Sequence, residues 1–205
     1  MKNLVQKLLF RIKTSNFNPF LKSNYNENQD YKKLIKFCEN KTIALIGGSK
    51  NLIKKENKID EFDLVIRINH LPQKKISNFV GKRCDILMLS RNPTNLINKN
   101  FIKIWMTPKF RYFLNYAKGE FYSYPLNMWK ELSNVLKSRP STGAMALHFL
   151  KTKLPNNKIY LFGFDHDFNK VWYSKNSENL KNPHNPINEK EYFESVTGNL
   201  INYVK

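Results

Sequence analysis

The sequence has little of what marks disulfide-stabilised or membrane-spanning proteins. Only two cysteines, Cys38 and Cys84, occur in 205 residues, and neither has a second cysteine near it. A disulfide scaffold and a zinc site built on paired cysteines are therefore excluded. No apolar run approaches the roughly 18 residues that cross a bilayer. The apolar cluster at residues 8–10 is also too short for a signal peptide, so we expect neither kind of segment.

Acidic residues are scarce as well. The chain has 16 Asp and Glu against 35 Lys and Arg, which gives a formal net charge of +19. Such a balance is typical of proteins that bind nucleic acid or anionic membranes. Most of the basic residues are lysines, however, whereas specific recognition of phosphates and bases favours the planar arginine fork. A non-catalytic, lysine-rich module that binds nucleic acid or other anions is therefore kept only as an alternative.

The chain divides into a basic N-terminal segment and one folded domain. Residues 1–40 predict a basic helix followed by a linker, and residues 41–205 predict a domain with enough apolar residues, 41% of the chain, to bury a core. Leu4, Leu8 and Ile12 recur at helical spacing in a stretch without acidic residues. Residues 1–22 could therefore lie on an anionic membrane or form a terminal helix. We expect a cytoplasmic protein. If residues 1–22 lie on a membrane, the protein would be peripheral at the cytoplasmic membrane face.

From residue 41 onward, short apolar runs alternate with helical stretches. Runs that are apolar on both faces are typical of a parallel sheet covered by helices on both sides. The sequence predicts strands at 43–46, 64–68, 86–89, 102–106, 121–124 and 159–162, and helices at 126–136 and 143–150. We therefore predict a single Rossmann-like α/β domain with a mostly parallel sheet. Ligands of such sheets bind beyond the carboxyl ends of the strands.

Small and polar residues follow these strands. Gly47, Gly48, Ser49 and Asn51 come after the first strand, where glycine lets the backbone approach a ligand and a starting helix offers N–H groups to a phosphate. Asn69 ends the second strand, and Gly163 and Asp165 end the last one. These residues are candidates for ligand binding.

A second group of candidates precedes a predicted helix. In the segment Arg139-Pro140-Ser141-Thr142-Gly143, the hydroxyl groups could cap the helix or bind an anion, and both interpretations stay open.

The order of these motifs resembles the animal-type sialyltransferases (glycosyltransferase family 29) and their short bacterial relatives. The stretches IALIGGSKNL, FDLVIRINHLP and VGKRCDILML are similar to the large sialyl motif, and RPSTGAMALHFL with IYLFGFDHD is similar to the small one. His184 and Glu189 match the His-x4-Glu of the very small motif. The resemblance covers about residues 42–193. It departs from the family at Gly48, where an asparagine is expected, and in lacking the family's histidine motif.

The resemblance implies a GT-A-like variant of the Rossmann fold that binds a CMP-sugar donor and uses no cofactor or metal. It implies His184, Glu189 and Tyr173 as catalytic residues. Donor binding would fall to Gly47, Gly48, Ser49, Asn51, Asn69, Arg139, Ser141, Thr142, Gly143, Gly163 and Asp165. Tyr173 would bond the donor phosphate, and His184 would act as general base. Pro186 fits the first turn of a helix, which would place His184 beside the N terminus of that helix.

The function so implied is that of an inverting, metal-independent glycosyltransferase. It would move sialic acid, or a related 2-keto sugar acid such as Kdo, from a CMP-sugar to a glycan hydroxyl, for instance on lipopolysaccharide. Two further alternatives stay open. Asp165 and Asp167 could hold a metal ion in a metal-dependent glycosyltransferase, or the fold could be sialyltransferase-like without activity.

Overall fold

Seven parallel strands form one sheet in the computed structural model, which describes residues 30–72, 74–90, 101–108, 120–165 and 184–204. The strands are β1 Ile43–Ile46, β2 Leu64–Ile68, β3 Ile86–Leu89, β4 Ile102–Trp105, β5 Phe121–Ser123, β6 Ile159–Phe162 and β7 Ile201–Val204. Every neighbouring pair is parallel. The predicted parallel α/β sheet is thereby confirmed.

The strand order is β5-β4-β3-β2-β1-β6-β7. From β1 the chain adds four strands on one side, then returns to place β6 and β7 on the other side. Ile43 of β1 therefore pairs with Leu64 of β2 on one flank and with Ile159 of β6 on the other. The connections diverge between β1 and β6, so a crevice is expected beyond the carboxyl ends of these two strands.

Helices cover both faces of the sheet, as predicted. The α-helices are α1 Lys32–Cys38, α2 Ser77–Val80, α3 Leu126–Leu136, α4 Thr142–Lys153 and α5 Pro186–Val196, and short 3₁₀ helices span Lys50–Ile53, Ile59–Glu61 and Lys74–Ile76. Along β1, Ile43 and Leu45 pack into the larger core with α1, α3, α4 and α5. Ala44 and Ile46 face the opposite side, in a smaller cluster. This alternation is why β1 is apolar at every position.

Several described elements were not predicted, among them α1 and β7. In α1, Leu34 and Cys38 are buried one helical turn apart, and the hydroxyl of Tyr31 donates a hydrogen bond to the Ser123 carbonyl. Residues from Tyr31 onward thus pack with the sheet, ahead of the predicted domain start at residue 41. Residues 1–29, including the predicted basic helix, lie outside the described residues. None of the described helices is both long and apolar enough to cross a membrane.

Candidate functional site

The carboxyl ends of β1 and β6 approach so closely that both turns need glycine. The N–H of Gly47 donates to the Phe162 carbonyl over 2.7 Å. A Cβ atom on Gly47 would lie only 2.5 Å from the carbonyl oxygen of Gly163. Gly163 itself has a φ of 70°, which side chains disfavour. Both glycines were predicted to bind the donor. They let the backbones of the two turns come together at the carboxyl edge of the sheet, where a parallel sheet binds its ligands.

Asp165 links the turn after β6 to the turn after β1. Its Oδ2 atom accepts hydrogen bonds from the Ser49 hydroxyl and, over 3.0 Å, from the Asn51 side-chain amide. Ser49 Oγ also accepts from the backbone N–H of Asn51 at 3.0 Å, so it caps the 3₁₀ helix that follows. Ser49 is buried, whereas Asp165 is exposed. A carboxylate in this position favours ligand groups that donate hydrogen bonds and repels a phosphate.

Asn69 connects two strand ends to α4. It adopts a φ of 59°, in the left-handed region that asparagine tolerates. Its Oδ1 accepts from the N–H of Ser90, just after β3, over 2.8 Å, and its Nδ2 donates to the Thr142 hydroxyl over 3.2 Å. Two residues predicted to bind the donor, Asn69 and Thr142, are therefore in direct contact at the carboxyl edge of the sheet.

Phe164 fills the space between the β1 turn and the start of α4. A Cβ atom on Gly47 would lie 3.2 Å from one edge of the ring, and a Cβ atom on Gly143 would lie 3.0 Å from the other. The ring also packs on Phe193 of α5, with 5.3 Å between centroids. Sequence reasoning did not single out Phe164. The signal was present, since an aromatic residue stands between two candidate residues at a strand end.

Glu189 of α5 holds the N terminus of α4. It is only 1% exposed, and its Oε1 and Oε2 accept hydrogen bonds from the backbone N–H and the hydroxyl of Ser141 over 2.7 and 2.6 Å. The Ser141 hydroxyl in turn accepts from the Ala144 N–H at 3.1 Å. Of the two roles left open for Ser141, the structure shows the helix cap. Both oxygens of Glu189 are thus bonded to the segment that it holds, and its catalytic role stays a prediction.

Burial also sets the protonation of this carboxyl. Removal from water raises the pKa of Glu189, while the two hydrogen bonds from Ser141 act in the opposite direction.

The imidazole of His184 is anchored on the same segment. Its Nδ1 lies 2.8 Å from the Arg139 carbonyl oxygen. Because a carbonyl only accepts hydrogen bonds, Nδ1 carries the proton, and in the neutral ring the lone pair is on Nε2. Burial lowers the pKa of His184, the hydrogen bond to Arg139 raises it, and the charge of Arg139 lowers it again. The net lowering favours a neutral ring at pH 7.

The helix start that orients His184 was predicted from Pro186 and is confirmed. Pro186 is the first residue of α5, and the Asn185 side chain caps the helix by accepting from the N–H groups of Ile187 and Asn188 over 3.1 and 3.2 Å. The side chain of Asn188 also donates to the Leu136 carbonyl at 2.8 Å, which fixes the end of α3.

The candidate residues thus meet through the segment 139–143. His184 bonds Arg139, Glu189 bonds Ser141, Asn69 bonds Thr142, and Gly143 abuts the ring that also covers Gly47. The Arg139 side chain is exposed and Gly48 is half-buried. Tyr173 and Asp167 lie outside the described residues. Within the described residues no group of three or more His, Cys, Asp or Glu side chains is close enough to hold a metal ion.

Comparisons with known proteins bear on the fold. Neither a protein-family model nor a curated protein matches this chain. Among solved structures, a mammalian sialyltransferase is similar at 18% identity and a TM-score of 0.62, covering 100% of this chain and 85% of that one. A mammalian sialyltransferase in complex with Gal-beta-1-3GalNAc-ortho-nitrophenol is 16% identical, with a TM-score of 0.60, and the match covers 98% of this chain and 86% of that one. A variant of the sialyltransferase CST-II in complex with CMP is 14% identical, with a TM-score of 0.51, and the match covers 76% of this chain and 77% of that one. The chain therefore has the fold of sialyltransferases, as the motifs implied.

The Glu189 contact predicts a pH-dependent difference in stability between the wild type and E189Q. The folded chain binds the carboxyl proton more tightly than the unfolded chain does, because the pKa of Glu189 is raised. The stability gained from this proton is complete below the ordinary pKa of glutamate, about 4.3, and is lost as the pH rises through the raised native pKa. Glutamine does not titrate. The free energy of unfolding of wild type minus that of E189Q should therefore fall as the pH rises from 4.5 to 7.5. The fall amounts to about 1.4 kcal/mol for each pH unit by which the native pKa of Glu189 exceeds its ordinary value.

Urea unfolding of both proteins across that pH range measures the difference. The matched control is E191Q, since Glu191 is exposed on the same helix, and its curve should run parallel to that of the wild type. Parallel curves for E189Q and the wild type would contradict the assignment.

Proposed function

We propose that this chain is an inverting, metal-independent glycosyltransferase that moves sialic acid, or a related 2-keto sugar acid such as Kdo, from a CMP-sugar to a glycan hydroxyl. The supporting observation is the segment 139–143, which bonds the imidazole of His184, bonds Asn69 at the end of β2, and approaches the turn after β1 through the ring of Phe164. The sialyltransferase fold supports the same activity. One solved neighbour contains CMP and another contains a glycan, which fits a donor and an acceptor for this chain.

The polar groups at the strand ends suit a nucleoside better than a diphosphate. The exposed carboxylate of Asp165 can accept hydrogen bonds from ribose hydroxyls or from the amino group of cytosine. A CMP-sugar has one phosphate, and its leaving charge can be stabilised by hydroxyl groups, N–H groups and cations. Thr142 and Arg139 are candidates among the described residues, and Tyr173 stays a candidate outside them. We therefore assign Asp165 to the nucleoside and not to a metal ion.

His184 is proposed as the general base. Its Nε2 would take the proton of the acceptor hydroxyl while that oxygen attacks the anomeric carbon and the bond to the CMP phosphate breaks. Attack from the side opposite CMP inverts the configuration. The resulting imidazolium keeps its Nδ1 hydrogen bond to the Arg139 carbonyl, which accepts from either protonation state. Glu189 acts through Ser141 by keeping that carbonyl in place.

Nucleotide binding gives the first test. With EDTA present, CMP and CDP should raise the melting temperature, whereas UMP, UDP and GDP should leave it unchanged. At a ligand concentration 100 times Kd the stabilisation is about 2.7 kcal/mol, which corresponds to roughly 5–10 °C for a domain of this size. Stabilisation by UDP or GDP that requires Mn²⁺ would contradict the proposal in favour of the metal-dependent alternative. Tight, strongly salt-dependent binding of oligonucleotides without a CMP shift would favour the anion-binding module.

The base assignment predicts a specific defect in His184→Ala. Release of CMP from CMP-sialic acid or CMP-Kdo in the presence of glycan acceptors should fall by about 10²–10⁴-fold, while the melting shift with CMP is kept. Because burial lowers the pKa of His184, the wild-type kcat/KM should hold its plateau to below pH 6.5, the ordinary value. Near-complete activity of the variant would rule out His184 as the base.

A further inference from the structure

A cavity of about 310 Å³ lies at the amino edge of the sheet, opposite the edge that carries the candidate site. It is bounded by the helix α1 and by the amino ends of three neighbouring strands, β3, β4 and β5. Its walls combine apolar and charged side chains, which include Lys33, Phe37, Cys84, Asp85, Phe101 and Glu120. A few polar groups among aromatic side chains, in a cavity of this size, are typical of a small-molecule site. It is called here the amino-edge cavity.

Two acidic residues of the cavity stand on either side of β4. The N–H of Ile102 donates to the Asp85 carbonyl over 3.2 Å, and the N–H of Lys103 donates to the Glu120 carbonyl over 3.0 Å. The backbones of Asp85 and Glu120 are therefore two strand spacings apart, about 10 Å. Both residues line the cavity, and their side chains are 25% and 31% exposed.

Each of these carboxylates has one oxygen that is bonded and one that is not. Oδ2 of Asp85 accepts from the Arg83 guanidinium over 2.9 Å. Oε1 of Glu120 accepts from the Tyr122 hydroxyl and lies 3.2 Å from the Lys33 ammonium. In the part of the chain that the structure describes, Oδ1 of Asp85 and Oε2 of Glu120 accept no hydrogen bond. Two acceptors thus remain for a ligand that donates hydrogen bonds.

The charges of the cavity are already paired. Arg83 pairs with Asp85, and Lys33 pairs with Glu120. The Cys84 thiol adds no charge, because burial raises its pKa to about 12. A cationic ligand would meet these basic partners in a chain of net charge +19, and an anionic ligand would meet two carboxylates. Charge therefore favours a neutral ligand.

Two phenylalanine rings supply apolar wall. Phe37 of α1 is 39% exposed and stands one helical turn from Lys33, and Phe101 directly precedes β4. The ammonium groups of Lys41 and Lys103 lie 4.2 and 5.0 Å from the centroids of these two rings, which again disfavours a cationic ligand. Among the described residues, neither Phe37 nor Phe101 contacts another aromatic ring. An ammonium over one face leaves the other face of each ring for a ligand.

We infer that the amino-edge cavity binds a neutral sugar. Sugar hydroxyls are uncharged donors that suit the free oxygens of Asp85 and Glu120, and they also accept from the Lys33 ammonium. The C–H faces of a sugar ring suit the electron-rich faces of Phe37 and Phe101. Because the two acidic residues are two strand spacings apart, a disaccharide suits the cavity better than a single sugar. This site lies at the edge opposite the proposed reaction and does not depend on it.

Titration calorimetry of the full chain with lactose, maltose and cellobiose tests the inference. At least one of the three should bind, and its affinity should not change as the salt concentration rises, because the ligand is neutral. F37A removes a ring and E120Q removes a carboxylate, so each should weaken binding by about tenfold. The matched controls are L200A and E61Q. Leu200 is 37% exposed, Glu61 also pairs with a lysine, and neither lines the cavity, so both variants should bind as the wild type does.

Three outcomes would overturn the inference. They are no binding of any of the three sugars, equal binding by the cavity variants and their controls, and binding of spermidine or 3′-sialyllactose in preference to the neutral sugars. The second would place the sugar elsewhere, such as at the proposed acceptor site. Thermal unfolding shows that each variant is folded, and E120Q alone decides if F37A is unstable. The melting shift with CMP is measured on the same variants and should be kept, so failure here leaves the proposed activity standing.

Discussion

A buried carboxylate joins the first turns of two helices, and the arrangement of the site depends on it. Glu189 of α5 accepts both hydrogen bonds that Ser141 can donate, while the Ser141 hydroxyl caps α4. A carboxylate with 1% exposure is tolerated only when its oxygens are paired. The two helix starts therefore cannot separate without leaving a buried charge unsatisfied. This constraint fixes the segment 139–143, and with it the Arg139 carbonyl that holds His184.

The sheet supplies the other half of the site. Its connections diverge between β1 and β6, where Gly47 and Gly163 bring the two backbones together and the Asp165 carboxylate gathers Ser49 and Asn51. The imidazole comes from a different element, at the start of α5. Under the proposed function, nucleoside recognition and proton transfer fall to separate parts of the fold. The capped start of α4 stands between them, where Thr142 bonds Asn69.

How well the sequence predicts the structure depends on how far apart along the chain the interacting residues lie. Strands such as 43–46 and 64–68 are locally apolar and were found where predicted, and Pro186 marked the start of α5. By contrast, α1 has only Leu34 and Cys38 buried, and β7 is an edge strand with one buried residue, so neither carries a strong local pattern. The pairing of Glu189 with Ser141 spans 48 positions, and that of Ser49 with Asp165 spans 116. Local pattern cannot predict such pairs, although the motif resemblance had singled out the residues themselves.

The most direct test of this account is the tautomer of His184. Long-range ¹H–¹⁵N correlation spectra of the imidazole, assigned by comparison with His184→Gln, report which ring nitrogen carries the proton. We expect the Nδ1–H tautomer at neutral pH, because Nδ1 donates to the Arg139 carbonyl and Nε2 then carries no proton. A ring protonated on Nε2 at neutral pH would contradict it.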